Sequence, residues 1–180
     1  MNLKHHFLLA MPGLAGDYFA GSLTYICEHN DEGAMGIIIN RPNDMSLVEM
    51  LSQLGLPMNK KWVETKVFEG GPVATRQGLV LHTGSDTDST NLGNGLYLSS
   101  TLETLEAIAQ DQGPEQFLVA LGYAGWGAGQ LDQEMANNIW LNIAADQAVL
   151  FHRVWQEKLD KAAQLIGIDL RLMAARPGHA

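Results

Sequence analysis

Between Phe117 and Trp140 the chain reads FLVALGYAGWGAGQLDQEMANNIW, and the reading of this stretch decides the fold. The apolar run Phe117 to Leu121 predicts a strand. Gly122, Gly125, Gly127 and Gly129 predict a flexible loop after it, and the polar segment Gln130 to Asn138 predicts a helix. Strand, glycine loop and helix start is an order that can set backbone N–H groups against an anion. A tightly packed corner has the same signature. The loop lacks the terminal Gly-Lys-Ser/Thr of a P-loop. It also lacks the third glycine of the dinucleotide fingerprint, because position 130 is Gln where that glycine would follow Gly125 and Gly127. Asp132 and Glu134 complement the positive helix end and would repel a phosphate placed there. A corner packed beside Tyr123 and Trp126 is the favoured reading, and a site for a neutral or weakly charged ligand is the competing one.

On the N-terminal side, apolar segments alternate with turn signals. His6 to Met11 is a short apolar run closed by Pro12-Gly13. Ser22 to His29 is β-compatible, Asn30 to Gly33 supplies turn chemistry, and the β-branched run Gly36 to Asn40 is stopped by Pro42. This pattern predicts an antiparallel hairpin. Two helices carry capping-box signatures, Ser46 to Glu49 and Ser100 to Glu103, with Gly55, Pro57 and Gly113-Pro114 as stops. Short strands are predicted at Lys66 to Glu69, Leu79 to His82 and Gly95 to Ser99. Beyond the glycines, β-like segments are expected near Trp140 to Ile143 and Ala148 to Phe151. A helix is expected from Arg153 to Ile166, capped by Gly167. Strands and helices do not alternate one to one. The pattern therefore predicts an α+β domain with a mixed, largely antiparallel sheet, spanning residues 1–180 as one unit with a loose tail from Met173 through Pro177-Gly178.

With 180 residues, 46% of them apolar and 17% charged, the chain reads as globular. Eleven Lys and Arg against twenty Asp and Glu give a net charge of −9, which argues against direct nucleic-acid binding and against anionic membranes. No charged leader with a long apolar core and no membrane-length stretch is evident, so a cytoplasmic protein is expected. The single cysteine, Cys27, excludes an intramolecular disulfide framework.

Several blocks in this order resemble the AlgH/YqgE family of small bacterial proteins: LLAMPGLAGDYF at Leu8 to Phe19, GAMGIIINRP at Gly33 to Pro42, EGGPV at Glu69 to Val73, LVLH at Leu79 to His82, and LGYAGWGAGQLDQEMANNIWL at Leu121 to Leu141. The resemblance implies a split sheet curled into a pseudo-barrel with helices packed outside. It implies no agreed catalytic residues. It brings a label of transcriptional regulator that stems from a suggested role in alginate production.

Arg41, at the end of a predicted strand, could clamp a carboxylate or phosphate, and its alternative is a surface or structural salt bridge. Gly70 and Gly71 form a turn that needs no ligand, yet they would line one cleft with Gly125 and Gly127 if the loops fold together. Cys27 and His29, two apart on a strand, would share a face. That arrangement could begin a reactive thiol, although a buried, inert cysteine is the commoner outcome. The six histidines have no metal spacing, and no Gly-x-Ser-x-Gly elbow or Ser/His/Asp set stands out. Asp86 and Asp88 read as turn chemistry, and no cofactor is proposed. The leading expectation is a protein that is not an enzyme and acts through a protein partner, with an indirect effect on transcription. The alternative is a small-molecule or nucleotide-like ligand binder or enzyme using Gly122 to Gly129 and Gly70-Gly71, and thiol chemistry at Cys27 ranks last.

Overall fold

The computed structural model describes residues 1–11, 13, 16–85 and 88–174. In chain order its strands are β1 (His6–Ala10), β2 (Leu23–Asn30), β3 (Gly33–Ile38), β4 (Pro42–Ser46), β5 (Lys66–Glu69), β6 (Val73–Thr83), β7 (Thr90–Gly93), β8 (Leu96–Ser99), β9 (Phe117–Gly127) and β10 (Trp140–Ala144). The helices are α1 (Gly16–Phe19), α2 (Leu47–Gln53), α3 (Leu102–Ala109), α4 (Gln130–Ala136), α5 (Gln147–Leu150), α6 (Lys158–Gln164) and α7 (Leu170–Ala174). The predicted β2–β3 hairpin is present, pairing Asn30 with Gly33 across the turn. Pro42 is the first residue of β4, a position where its missing N–H costs little.

All the strands belong to one sheet, ordered β10-β1-β2-β3-β9-β6-β8-β7, with β4 and β5 branching off it. Every pairing is antiparallel except β5 with β9, which makes the sheet mixed and largely antiparallel. The sheet curls until its two ends approach: Gln147 Nε2 donates to the Asn94 carbonyl at 2.8 Å. Phe7, Tyr25, Ile37, Phe68, Leu79, Leu81, Leu118 and Ala120 fill the interior of the curl. On the outer face, α2 and α3 cover Val67, Val80 and Val119, while α4 covers Leu8, Ile26, Ala124 and the two indoles Trp126 and Trp140. Both faces are thus buried, which is why the strands read as near-continuous apolar runs instead of clean alternation.

The glycine-rich stretch is where expectation and structure part most clearly. It is not a loop: β9 runs through Gly122, Gly125 and Gly127 without a break. Gly122 has φ +75°, and the β6–β9 register shifts between Val73/Tyr123 and Gly78/Leu121. Before this bulge, Leu118 and Ala120 face the interior. After it, Tyr123 packs inward, and Ala124 and Trp126 pack outward. One residue in the left-handed region has reversed the side-chain alternation. One edge of β9 is then shared, with β5 pairing against Val119–Leu121 and β3 against Ala124–Gly127. That sharing is the split in the sheet.

Other departures are local. Residues Gln147–Leu150 form a helix, not a strand, because the Asp146 carboxylate caps the N–H groups of Ala148 and Val149. The capping box at Ser46 forms in full, with Glu49 reaching back to the Ser46 N–H at 2.7 Å. The second box does not form: Thr101 is the N-cap of α3 and makes no capping bond. The expected helix over Arg153 to Ile166 is a 3-10 turn at Trp155–Glu157 followed by α6, and Gly167 ends it with φ +74°. Strands β4 and β7 and helices α1 and α7 were not legible. Pro12 and Pro177-Gly178 lie outside the described residues.

Candidate functional site

Three of the sequence blocks meet at one place on the surface: Gly16–Phe19, Asn40-Arg41-Pro42, and Glu69-Gly70-Gly71. Asn40 builds the corner. Its side-chain oxygen accepts from the Leu23 N–H at 2.8 Å, and its amide donates to the Gly21 carbonyl at 2.9 Å. Pro42 fixes the backbone that follows, and the Arg41 carbonyl accepts the Glu69 N–H at 2.8 Å. The Arg41 side chain leaves from this frame and lies over the Tyr18 ring, 4.9 Å from its centroid, with Nη2 donating to the Tyr18 carbonyl at 2.6 Å. The Tyr18 hydroxyl donates to Glu69 Oε1 at 2.8 Å. Desolvation, and then the Glu69 carboxylate, push the Tyr18 phenol up to about 12, so it stays a donor at neutral pH. Among the described residues no carboxylate comes within 4.0 Å of the Arg41 guanidinium. The Arg41 fork is thus held by Tyr18 without a carboxylate partner among the described residues, and Tyr18, 37% exposed, offers a ring beside it.

Gly70 and Gly71 adjoin this mouth as packing elements. A Cβ on Gly70 would lie 2.2 Å from the Gly122 carbonyl oxygen, and one on Gly71 would lie 2.1 Å from the Tyr123 carbonyl carbon. Here the backbone crosses directly onto β9: Ile38 N–H donates to the Gly70 carbonyl and Gly70 N–H to the Leu121 carbonyl, both at 2.8 Å. Gly125 and Gly127 are further along β9, paired with Met35 and Gly33 of the hairpin. Arg41, Gly70 and Gly71 thus come together, while Gly125 lies further along β9 beside Val73 and the Tyr123 ring, and Gly127 beside Gln130.

The helix after the glycines is engaged with the core. Glu134 Oε2 accepts both indole N–H groups, from Trp126 at 2.9 Å and Trp140 at 2.8 Å, while Gln130 donates to Oε1 at 2.9 Å. Asp132 faces His29 at 3.6 Å. Glu134 therefore satisfies two tryptophans and does not guard a helix end.

Cys27 is fully buried in the interior cluster, and burial pushes its thiol up to about 12, the direction opposite to activation. It sits at a register shift between Ile26 and Glu28. The extra residue sends His29 to the opposite side, where its Nδ1 accepts the Leu3 N–H at 3.0 Å. The shared face expected for Cys27 and His29 is lost to this bulge.

Sequence reasoning missed Lys158. It is 2% exposed, and its amine lies 4.7 Å from the centroid of the Phe68 ring. No carboxylate lies within 4.0 Å of it among the described residues. Desolvation brings it down to about 7. The available signal was its place one helical turn before the buried Ala162, which puts it on the apolar stripe of α6.

A cavity of about 440 Å³ opens between α3 and the segment after β6, lined among others by His82, Asp88, Glu103 and Thr104. The buried His82 is engaged at both ring nitrogens: Nδ1 donates to the Thr83 carbonyl at 3.0 Å, and Nε2 shares a hydrogen bond with Ser89 Oγ at 2.9 Å. Asp86 lies outside the described residues. Among the described residues no cluster of three or more His, Cys, Asp or Glu is arranged to hold a metal ion, and no helix is long and apolar enough to cross a membrane.

A family model described as AlgH-like matches residues 7–171. A UPF0301 protein of Thiobacillus denitrificans is 45% identical, covering 100% of this chain and 98% of the relative. One of Thioalkalivibrio sulfidiphilus is 46% identical over 99% of this chain and 97% of the relative. The solution structure of the AlgH protein from Pseudomonas aeruginosa is similar with a TM-score of 0.82 and 45% identity, covering 100% and 97% of the two chains. A crystal structure of a Corynebacterium diphtheriae protein shares the fold at a TM-score of 0.67 and 21% identity, covering 85% and 83%.

Proposed function

The chain belongs to the AlgH-like family, and from that premise we propose that it is a non-catalytic recognition protein of the cytoplasm. It binds a protein partner at the mouth formed by Tyr18, Arg41 and Glu69, with Arg41 taking a carboxylate of that partner. Any effect on transcription is exerted through the partner, because a chain of net charge −9 repels DNA phosphates. The observation that carries this reading is the Arg41 guanidinium, held in place over Tyr18 by a bond to the Tyr18 carbonyl and with no carboxylate within 4.0 Å among the described residues. A planar fork fixed in this way loses little freedom on pairing with a carboxylate. Gly70 and Gly71 serve the mouth by fixing the backbone beside Glu69.

Val73, 40% exposed and two residues past Gly71, is the place for a photo-crosslinking amino acid. Irradiated cells should yield an adduct of one discrete mass that disappears when Arg41→Glu is added. An adduct indifferent to Arg41→Glu would refute the role of Arg41. A saturable rise in melting temperature with a small metabolite, in the absence of any adduct, would favour the small-molecule alternative.

A further inference from the structure

The side chain of Lys158 is 2% exposed, and among the described residues no carboxylate lies within 4.0 Å of its amine. An ammonium drawn this far from water without a carboxylate beside it loses much of its solvation, and a ring face returns only part of that. Natural chains tend to retain such a cost where it does something. Lys158 opens α6, a helix that covers the interior cluster with Ala162, while Trp155 and Leu159 pack alongside. Its amine rests on Phe68, and Phe68 leads directly to the mouth: it pairs with Pro42, and the next residue, Glu69, bonds to both the Arg41 carbonyl and the Tyr18 hydroxyl.

We propose that α6 is a proton-sensitive clasp, seated through Lys158 on Phe68, whose release loosens the Phe68-Glu69 segment and with it the Arg41–Tyr18 mouth. This regulation rests on the reading of that mouth as the recognition site. Water restores the solvation of the ammonium when α6 lifts, so the open form binds the proton more tightly than the seated one. Seating therefore strengthens as pH rises from about 7, where the seated amine titrates, toward 10.5, where a solvated lysine does. Below about pH 7 both forms are protonated and the preference no longer changes.

The charged groups around the clasp do not supply this behaviour. Glu157, in the turn before α6, pairs with His152 at 2.8 Å and Lys161 at 3.8 Å. Asp146 caps α5, and Asp160 and Arg153 lie on α6 and on the approach to it. On β5, Lys66 is exposed and Glu69 accepts from Tyr18. None of the carboxylates is within 4.0 Å of the Lys158 amine.

Hydrogen exchange on the full chain, corrected for intrinsic rates, tests the clasp. Between pH 7 and pH 9 the protection of α6 amides should rise about fifty-fold in the wild type. The amides of Glu69 and Gly70 should rise with it, and Lys158→Met should flatten both. A slope that persists in Lys158→Met overturns the proposal, and a slope in α6 that Glu69 and Gly70 do not share overturns the coupling. If Lys158→Met does not fold, the ¹³Cε resonance of Lys158 in the wild type reads the same proton: a midpoint near 7 supports the clasp and one near 10 overturns it. These rates need no partner, so a failure of the Arg41 reading would show in the crosslinking alone.

Discussion

Replacing Gly71 with alanine asks whether the glycines of this protein are there for the backbone. The new Cβ would sit 2.1 Å from the Tyr123 carbonyl carbon, 2.2 Å from its oxygen and 2.3 Å from the Ala124 nitrogen. None of these atoms belongs to a side chain that can turn away. Relief requires the Gly70-Gly71 segment to lift off β9 by roughly an ångström, at a packing strain of about 1–3 kcal/mol. The bonds of Gly70 to Ile38 and Leu121, both 2.8 Å, are then stretched, at about 1 kcal/mol each. The backbone at φ +156° adds about 1–3 kcal/mol for any residue with a side chain. The total is on the order of 4–8 kcal/mol, a large share of the ~5–15 kcal/mol that holds a domain together. Gly127→Ala is the matched control: the nearest atom to its Cβ is Gln130 Oε1 at 3.9 Å, and about ±0.5 kcal/mol is expected. Urea unfolding followed by fluorescence measures both. A Gly71→Ala protein within about 1 kcal/mol of wild type would refute the backbone-crossing explanation. So would a Gly127→Ala protein that loses as much as Gly71→Ala.

Cys27 should react with a disulfide reagent at pH 8 about a thousandfold more slowly than a free tripeptide thiol, because so little thiolate is present and burial blocks approach. A rate equal to that of the free thiol would contradict this. Glu134→Ala leaves two indole N–H groups without their acceptor and should cost about 2–4 kcal/mol in urea unfolding, with Glu134→Gln costing less because a carbonyl remains. Ser46→Ala should lose about 1 kcal/mol with the cap of α2. Thr101→Ala, at an N-cap without a capping bond, should lose clearly less, and equal losses would be inconsistent with the two geometries.

Much of the fold was legible because local chemistry and tertiary demand agree. The Asn30 to Gly33 turn, the Ser46 box and the Gly167 stop each act within a few residues, and each is found where the sequence places it. The β-like run Ala148 to Phe151 misled because a single carboxylate, Asp146, overrides β propensity at a helix start. Of the site, Arg41 and Gly70-Gly71 were visible as motif residues. Tyr18 and Lys158 were not: Tyr18 acquires its role from Glu69, 51 positions away, and Lys158 from Phe68, a strand elsewhere in the sheet.

By itself the sequence determined the class of fold, the family blocks and the places where the backbone must be glycine. What only the tertiary structure decided is what each glycine is for. The stretch from Phe117 to Trp140 has the composition of a loop, yet Gly122 reverses a strand so that two others can share its edge. Gly70 and Gly71 are small because a second backbone passes where their side chains would be. Spacing along a chain encodes periodicity and caps. It does not encode which distant backbone arrives at a given Cα, and that arrival separates a packed corner from an open cradle.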